Sequence, residues 1–147
     1  MKDQMGFAGR VTLVLKGSDN RVKDLREVEN TITALGDAFV ADQMSDAGED
    51  ALSHMAVGTG TGGTTTLNTE SARVALDSTT QGTGAADNDV VYVATFPAGS
   101  GTGALTEAGI LNASSNGTLF NIAEFDEINK AADDSLEITW TVTFGAS

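Results

Sequence analysis

Leu136-Glu137-Ile138-Thr139-Trp140-Thr141-Val142-Thr143-Phe144 alternates apolar and polar residues without a break over nine positions. Successive side chains of a strand point to opposite faces, so only a period of two accommodates this stretch. It predicts a strand with Leu136, Ile138, Trp140, Val142 and Phe144 facing a core and Glu137 and three threonines facing outward. Working outward from it, Val90-Val91-Tyr92-Val93-Ala94-Thr95-Phe96 reads as a second strand with Val90, Tyr92, Ala94 and Phe96 inward. Val11-Thr12-Leu13-Val14-Leu15 is a third, and Gly17-Ser18-Asp19-Asn20 is turn chemistry that joins it to Arg21–Glu29 as a hairpin.

The rest of the chain is strand and turn as well. Leu52–Val57, Ala72–Thr79 and Ala104–Asn112 read as short strands. Asn116-Gly117 marks a hairpin turn with positive φ at both residues, leading into Leu119-Phe120-Asn121-Ile122. One helix is expected, capped by Asn30 or Thr31, with Ile32, Leu35, Phe39, Val40 and Met44 along one face and its end at Asp46–Asp50. Seventeen glycines, nineteen threonines and one proline suit pleats and turns. The expected fold is mainly β, an antiparallel sandwich or flattened barrel of seven to eight strands with one short helix. We read residues 1–147 as a single β domain in which residues 1–10 form an extended N-terminal arm.

A chain of 147 residues can bury a core unaided, and the absence of cysteine removes disulfides, thiolate metal sites and cysteine nucleophiles together. No apolar run approaches the ~18 residues of a membrane-spanning helix, and the first residues lack the apolar segment of a secretory signal. Charge is unevenly spread. Residues 1–26 carry six basic and three acidic side chains, and residues 27–147 carry two basic and eighteen acidic ones, which together give −13. Such an acidic surface repels phosphate backbones and anionic membranes, so neither nucleic acid nor membrane is an expected partner.

No constellation for chemistry emerges. His54 is the sole histidine and lacks a second metal ligand or an evident nucleophile, so a structural role is expected. Gly58, Gly60 and Gly63 satisfy G-x-G-x-x-G, but Thr64-Thr65-Thr66 follows where a dinucleotide site needs a helix, so the segment reads as a flexible or interface loop. The acidic pairs Glu49-Asp50, Asp87/Asp89, Asp126-Glu127 and Asp133-Asp134 read as solvated turns. The expectation is no catalytic residue, no cofactor and no metal ligand.

Several stretches together resemble a known group. They are Met55-Ala56-Val57-Gly58-Thr59-Gly60, then Leu67 through Thr69-Glu70 to Arg73, then Ala94-Thr95-Phe96, Leu105-Thr106-Glu107-Ala108-Gly109-Ile110 and the closing alternation. Their order is similar to that of small structural proteins of tailed phages and related archaeal viruses. The resemblance implies a non-enzymatic virion protein, assembled in the host cytoplasm and working as a homo-oligomer. It implies first a capsid decoration (cement) protein bound to the major capsid protein, and as an alternative a tail or neck subunit bound to another virion protein. A carbohydrate- or receptor-binding β module is a further alternative, which the inward-facing Tyr92 and Trp140 disfavour. The expected contact residues are Phe7, Arg10, Lys16, Arg21, Lys23 and Arg26, where positive charge concentrates in an otherwise acidic chain.

Overall fold

The computed structural model describes the backbone of residues 5–146 and the side chains of residues 8–145. Ten strands and one α-helix follow in the order β1 (Met5–Lys16), β2 (Val22–Glu29), β3 (Thr31–Ile32), α1 (Ala34–Ser45), β4 (His54–Gly58), β5 (Glu70–Ala75), β6 (Ser78–Gln81), β7 (Asp89–Phe96), β8 (Gly103–Leu111), β9 (Leu119–Lys130) and β10 (Ser135–Ala146). They form two five-stranded sheets, β2-β1-β10-β7-β6 (sheet A) and β3-β9-β8-β4-β5 (sheet B). Every pairing is antiparallel. The sheets pack face to face as a sandwich rather than closing into a barrel.

The alternation at 136–144 places β10 at the centre of sheet A, with Trp140 opposite Val11 of β1 and Tyr92 of β7. Its inward residues Leu136, Ile138, Trp140 and Val142 are fully buried and meet Met55, Leu105, Ile110 and Ile128 from sheet B. Tyr92 and Trp140 therefore face the core as expected, and burial pushes the Tyr92 phenol above its ordinary pKa. Both predicted hairpins form. Asn20 takes φ 65° in the β1–β2 turn, and Asn116 and Gly117 take φ 55° and 77° in the β8–β9 connection.

The strand count exceeds the expected seven to eight for two physical reasons. The stretch expected as one strand, Ala72–Thr79, divides after Ala75, because Leu76 N–H bonds Ser53, the residue before β4 of sheet B, while Asp77 N–H bonds Val93 of sheet A. The chain changes sheets at that point, so β5 and β6 belong to different layers. Thr31–Ile32, expected at the helix start, pairs with β9 instead. The helix cap is consequently Thr33 rather than Asn30 or Thr31: its Oγ1 accepts from Gly36 N at 2.8 Å and donates to Leu119 O at 2.6 Å. Of the expected apolar face, Phe39 is buried against Phe120 and Val40 is half-buried, whereas Leu35 and Met44 are exposed, Met44 by 84%.

Within the expected arm, residues 1–4 lie outside the described residues, and residues 5–10 are the first half of β1, paired with β10. Asn30 carries the chain from sheet A to sheet B. Its N–H donates to Gly9 O (3.3 Å) and its Oδ1 accepts from Trp140 Nε1 (2.7 Å). A Cβ at position 9 would stand 1.3 Å from Asn30 Oδ1, so only glycine leaves room for this joint.

Candidate assembly interface

β8 shifts register between Leu105 and Glu107. Ala108 and Ile110 then face the core, which sends Glu107, Gly109 and Leu111 to the opposite face of sheet B. A carboxylate there would ordinarily meet water, but Glu107 is fully buried under the loop between β4 and β5. It accepts three backbone N–H groups, from Asn68 at 2.8 Å, Gly60 at 3.0 Å and Thr69 at 2.7 Å. Thr106 Oγ1 donates to Gly60 O, and Gly62 N–H donates to the Glu124 carboxylate. Leu67 seals the arrangement by packing on Ala56, Leu111, Leu119 and Ile122. Arg73 extends it. Its guanidinium grips Glu70 with two bonds and donates to the carbonyls of Ala113 and Asn116, tying β5 to the β8–β9 connection.

The glycine loop is therefore clasped from within the fold, and no helix follows its glycines. Three of the stretches quoted for the resemblance, Met55–Gly60, Leu67–Arg73 and Leu105–Ile110, converge on this clasp, while Ala94–Phe96 and the closing alternation lie in sheet A. The clasp shapes the outer surface of sheet B.

The expected contact residues are scattered. Arg10 lies on the outer face of sheet A, 3.8 Å from Glu27, and Arg21 sits in the turn 3.8 Å from Asp19, both strongly exposed. Lys16 ends β1 half-buried. The Phe7 side chain lies outside the described residues. Lys23 and Arg26 are spent inside the molecule. Arg26 grips Asp24 with two bonds and reaches across the sandwich to the carbonyls of Asp126 and Glu127, capping the open edge of β9. Lys23 Nζ lies 2.8 Å from Asp134, which is buried.

Asp134 is not a solvated turn acid, contrary to expectation. It accepts from Lys23 and from Ala131 N–H, and the Lys23 and Lys130 charges add to these bonds to hold its carboxyl below the usual range. Lys130 is buried and donates to Pro97 O, and desolvation pulls its ammonium below its ordinary pKa. A carboxylate with a depressed folded-state pKa stabilises the fold above its unfolded value of ~3.9 and ceases to do so as pH falls through the folded value. Urea midpoints measured from pH 7 down to pH 2 should fall most steeply below about pH 4. Asp134→Asn should flatten that acid limb while lowering the midpoint at pH 7.

Other polar groups serve packing as well. His54 Nδ1 lies 2.8 Å from Ser53 Oγ. Glu49 accepts from Thr118 and Asn112, which lowers its pKa, and Asn112 is itself buried. Among the described residues no three His, Asp or Glu side chains converge as a metal site, and no helix is long and apolar enough to cross a membrane.

The outer face of sheet A was not singled out from the sequence. It sets Thr12 of β1, Thr139 of β10 and Val93 of β7 in one row, with Thr141 between Arg10 and Val91 in the next and Val14 beside Glu137 in the row on the other side; the threonines and valines are half-buried. Leu25 and Val22 of β2, 63% and 58% exposed, extend the face at the hairpin end. The signal lay in the outward positions of each alternation, where β-branched residues outnumber charges.

The sequence pattern of the family described as phage tail-collar fibre protein, N-terminal, matches residues 26–144. The chain belongs to this family. The match runs from the second half of β2 to Phe144 in β10 and so includes the glutamate clasp. No curated protein and no solved structure matches the chain significantly. The protein is thus a structural component of a phage tail, located in the virion. Of the two virion placements expected, the tail alternative gains this support and capsid decoration gains none.

Proposed function

We propose that this chain is an attachment subunit of the tail, a single β domain that docks on a neighbouring tail protein as a homo-oligomer and works by binding rather than catalysis. The observation that carries this reading is the outer face of sheet A. The row Thr12, Thr139 and Val93, flanked by Val14, Thr141 and Val91, lies uncovered on a chain of net charge −13, with Arg10, Glu27 and Glu137 on the same face. A flat face built largely of threonine and valine supports close packing, and its uncharged central row Thr12–Thr139–Val93 lowers the desolvation cost of burial. Arg10, Lys16 and Arg21 stand at its margin and would steer an acidic partner, while Lys23 and Arg26 support the strands beneath. Phe7, across from Phe144 in the same sheet, belongs to the proposed contact set.

The test is quantitative mass spectrometry of purified virions together with two variants, Thr139→Lys and Thr141→Glu. The tail reading expects a few copies per particle, independent of the shell lattice, and loss of both variants from particles although each folds normally. A copy number matching the major shell protein would restore the decoration reading. Normal incorporation of both variants would remove sheet A from the interface.

A further inference from the structure

A second surface lies on the opposite layer. Between the clasped loop and the start of α1 the structure leaves a cleft of about 530 Å³. Ile122 supplies its apolar lining on the outer face of sheet B, Gly63-Thr64-Thr65 one wall, Thr31 and Ala34 the other, and Glu29 and Glu124 its acidic end. No basic residue lines it.

The cleft lies along a strand edge. On that side of β9, Ile122 pairs with Thr31 of β3, and the Asp126 carbonyl is capped by Arg26. Main-chain groups alternate along a strand, so Glu124 presents its backbone to the same side. Among the described strands none pairs with it there. One unfilled main-chain position, the apolar side chain of Ile122 and two carboxylates thus lie together.

We infer that the cleft receives an extended segment of another virion protein. That segment pairs its backbone with β9 at Glu124, seats an aliphatic side chain on Ile122, and places a lysine or arginine between Glu29 and Glu124. Strand addition to a sheet edge draws affinity from main-chain bonds and specificity from alternate side chains, which is what this cleft offers. The charge complement favours a different protein over a second copy. Lys23, Arg26 and Arg73 are engaged by their own carboxylates and Lys130 is buried, so among the described residues a neighbouring copy could offer only Arg10, Lys16 and Arg21, which lie on sheet A and its turn and belong to the contact set proposed above.

The inference deepens the attachment reading and rests on it only for the source of the segment. Its test therefore uses no particles. A short synthetic peptide of alternating valine and lysine is titrated into the 15N-labelled protein. Amide shifts are expected at residues 31–34, 63–65 and 122–125. Glu29→Lys should weaken binding roughly tenfold, and Ala34→Trp should abolish it by filling the cleft; both positions are exposed, so neither variant touches the core. A backbone N-methylated peptide, which cannot pair, should not bind, and this arm needs no variant to fold. Shifts centred on sheet A or α1, equal affinity for Glu29→Lys, equal binding of the N-methylated peptide, or self-association through these residues would each overturn the inference. Failure here beside normal sheet A results would leave the attachment reading standing.

Discussion

Replacing Glu107 with alanine should lower stability by roughly 3–5 kcal/mol, a large share of the 5–15 kcal/mol that holds a typical domain. The carboxylate is the sole side-chain acceptor given to the Gly60, Asn68 and Thr69 amides, and its removal leaves three N–H groups aimed at a void. Each buried unpaired donor costs ~1–3 kcal/mol. The full sum is not expected, because the loop can lift and admit water. Lifting also uncovers Leu67, which seals Ala56 and Leu111. Glu107→Gln should fall between wild type and alanine, since its amide keeps one acceptor oxygen but turns an NH2 group toward donors. In urea titrations the order of midpoints should be wild type, glutamine, alanine. Thermal midpoints should drop by ~10 °C for alanine, at ~2–4 °C per kcal/mol in a domain of this size. Hydrogen exchange at residues 60, 68 and 69 should accelerate in step. A glutamine variant as stable as wild type would show that the charge contributes nothing beyond shape. Because Gly63–Thr65 forms a wall of the cleft, Glu107→Ala should also weaken the valine–lysine peptide.

The layers of the sandwich were legible because strand alternation is local. Trp140, Tyr92 and Leu13 declare their faces through their immediate neighbours, and Asn116-Gly117 declares its turn through its own φ preferences. Burial imposed from afar is not written in that way. Glu107 sits in an alternating run where an acid looks like an outward residue, and only the folding back of residues 60–69 buries it. Asp134 looked like a solvated turn acid, yet Lys23 reaches it from 111 positions away. Lys23 and Arg26 looked like free cations for a partner, and the fold uses them to hold a turn and cap a strand edge. The clasp did leave a trace. Of the five stretches that carried the resemblance, Met55–Gly60, Leu67–Arg73 and Leu105–Ile110 touch one another in the clasp. Reading them as one contact, rather than as separate patterns, would have located it.

The remaining large effect concerns the joint between the sheets. Trp140 is fully buried and its indole N–H is received by Asn30 Oδ1 at 2.7 Å. Trp140→Ala should cost ~3–5 kcal/mol, from lost burial and the cavity left at the centre of sheet A. Trp140→Phe should cost about half as much, because the ring refills most of the space while Asn30 loses its donor. Gly9→Ala should produce a comparable loss without touching the core directly. Its Cβ would displace the Asn30 side chain and strand the indole N–H in an apolar site. If Gly9 acts through Asn30 on Trp140, then Gly9→Ala combined with Trp140→Phe should lose less than the sum of the two single losses, by ~0.5–3 kcal/mol. The cycle should be followed by far-ultraviolet circular dichroism in urea, since the chain has one tryptophan and the Phe variant removes its fluorescence. Strictly additive losses would mean that Gly9 serves only the backbone bend of β1. Coupled losses would identify Gly9, Asn30 and Trp140 as one joint, through which the chain passes from the face proposed to meet the tail to the layer that carries the cleft.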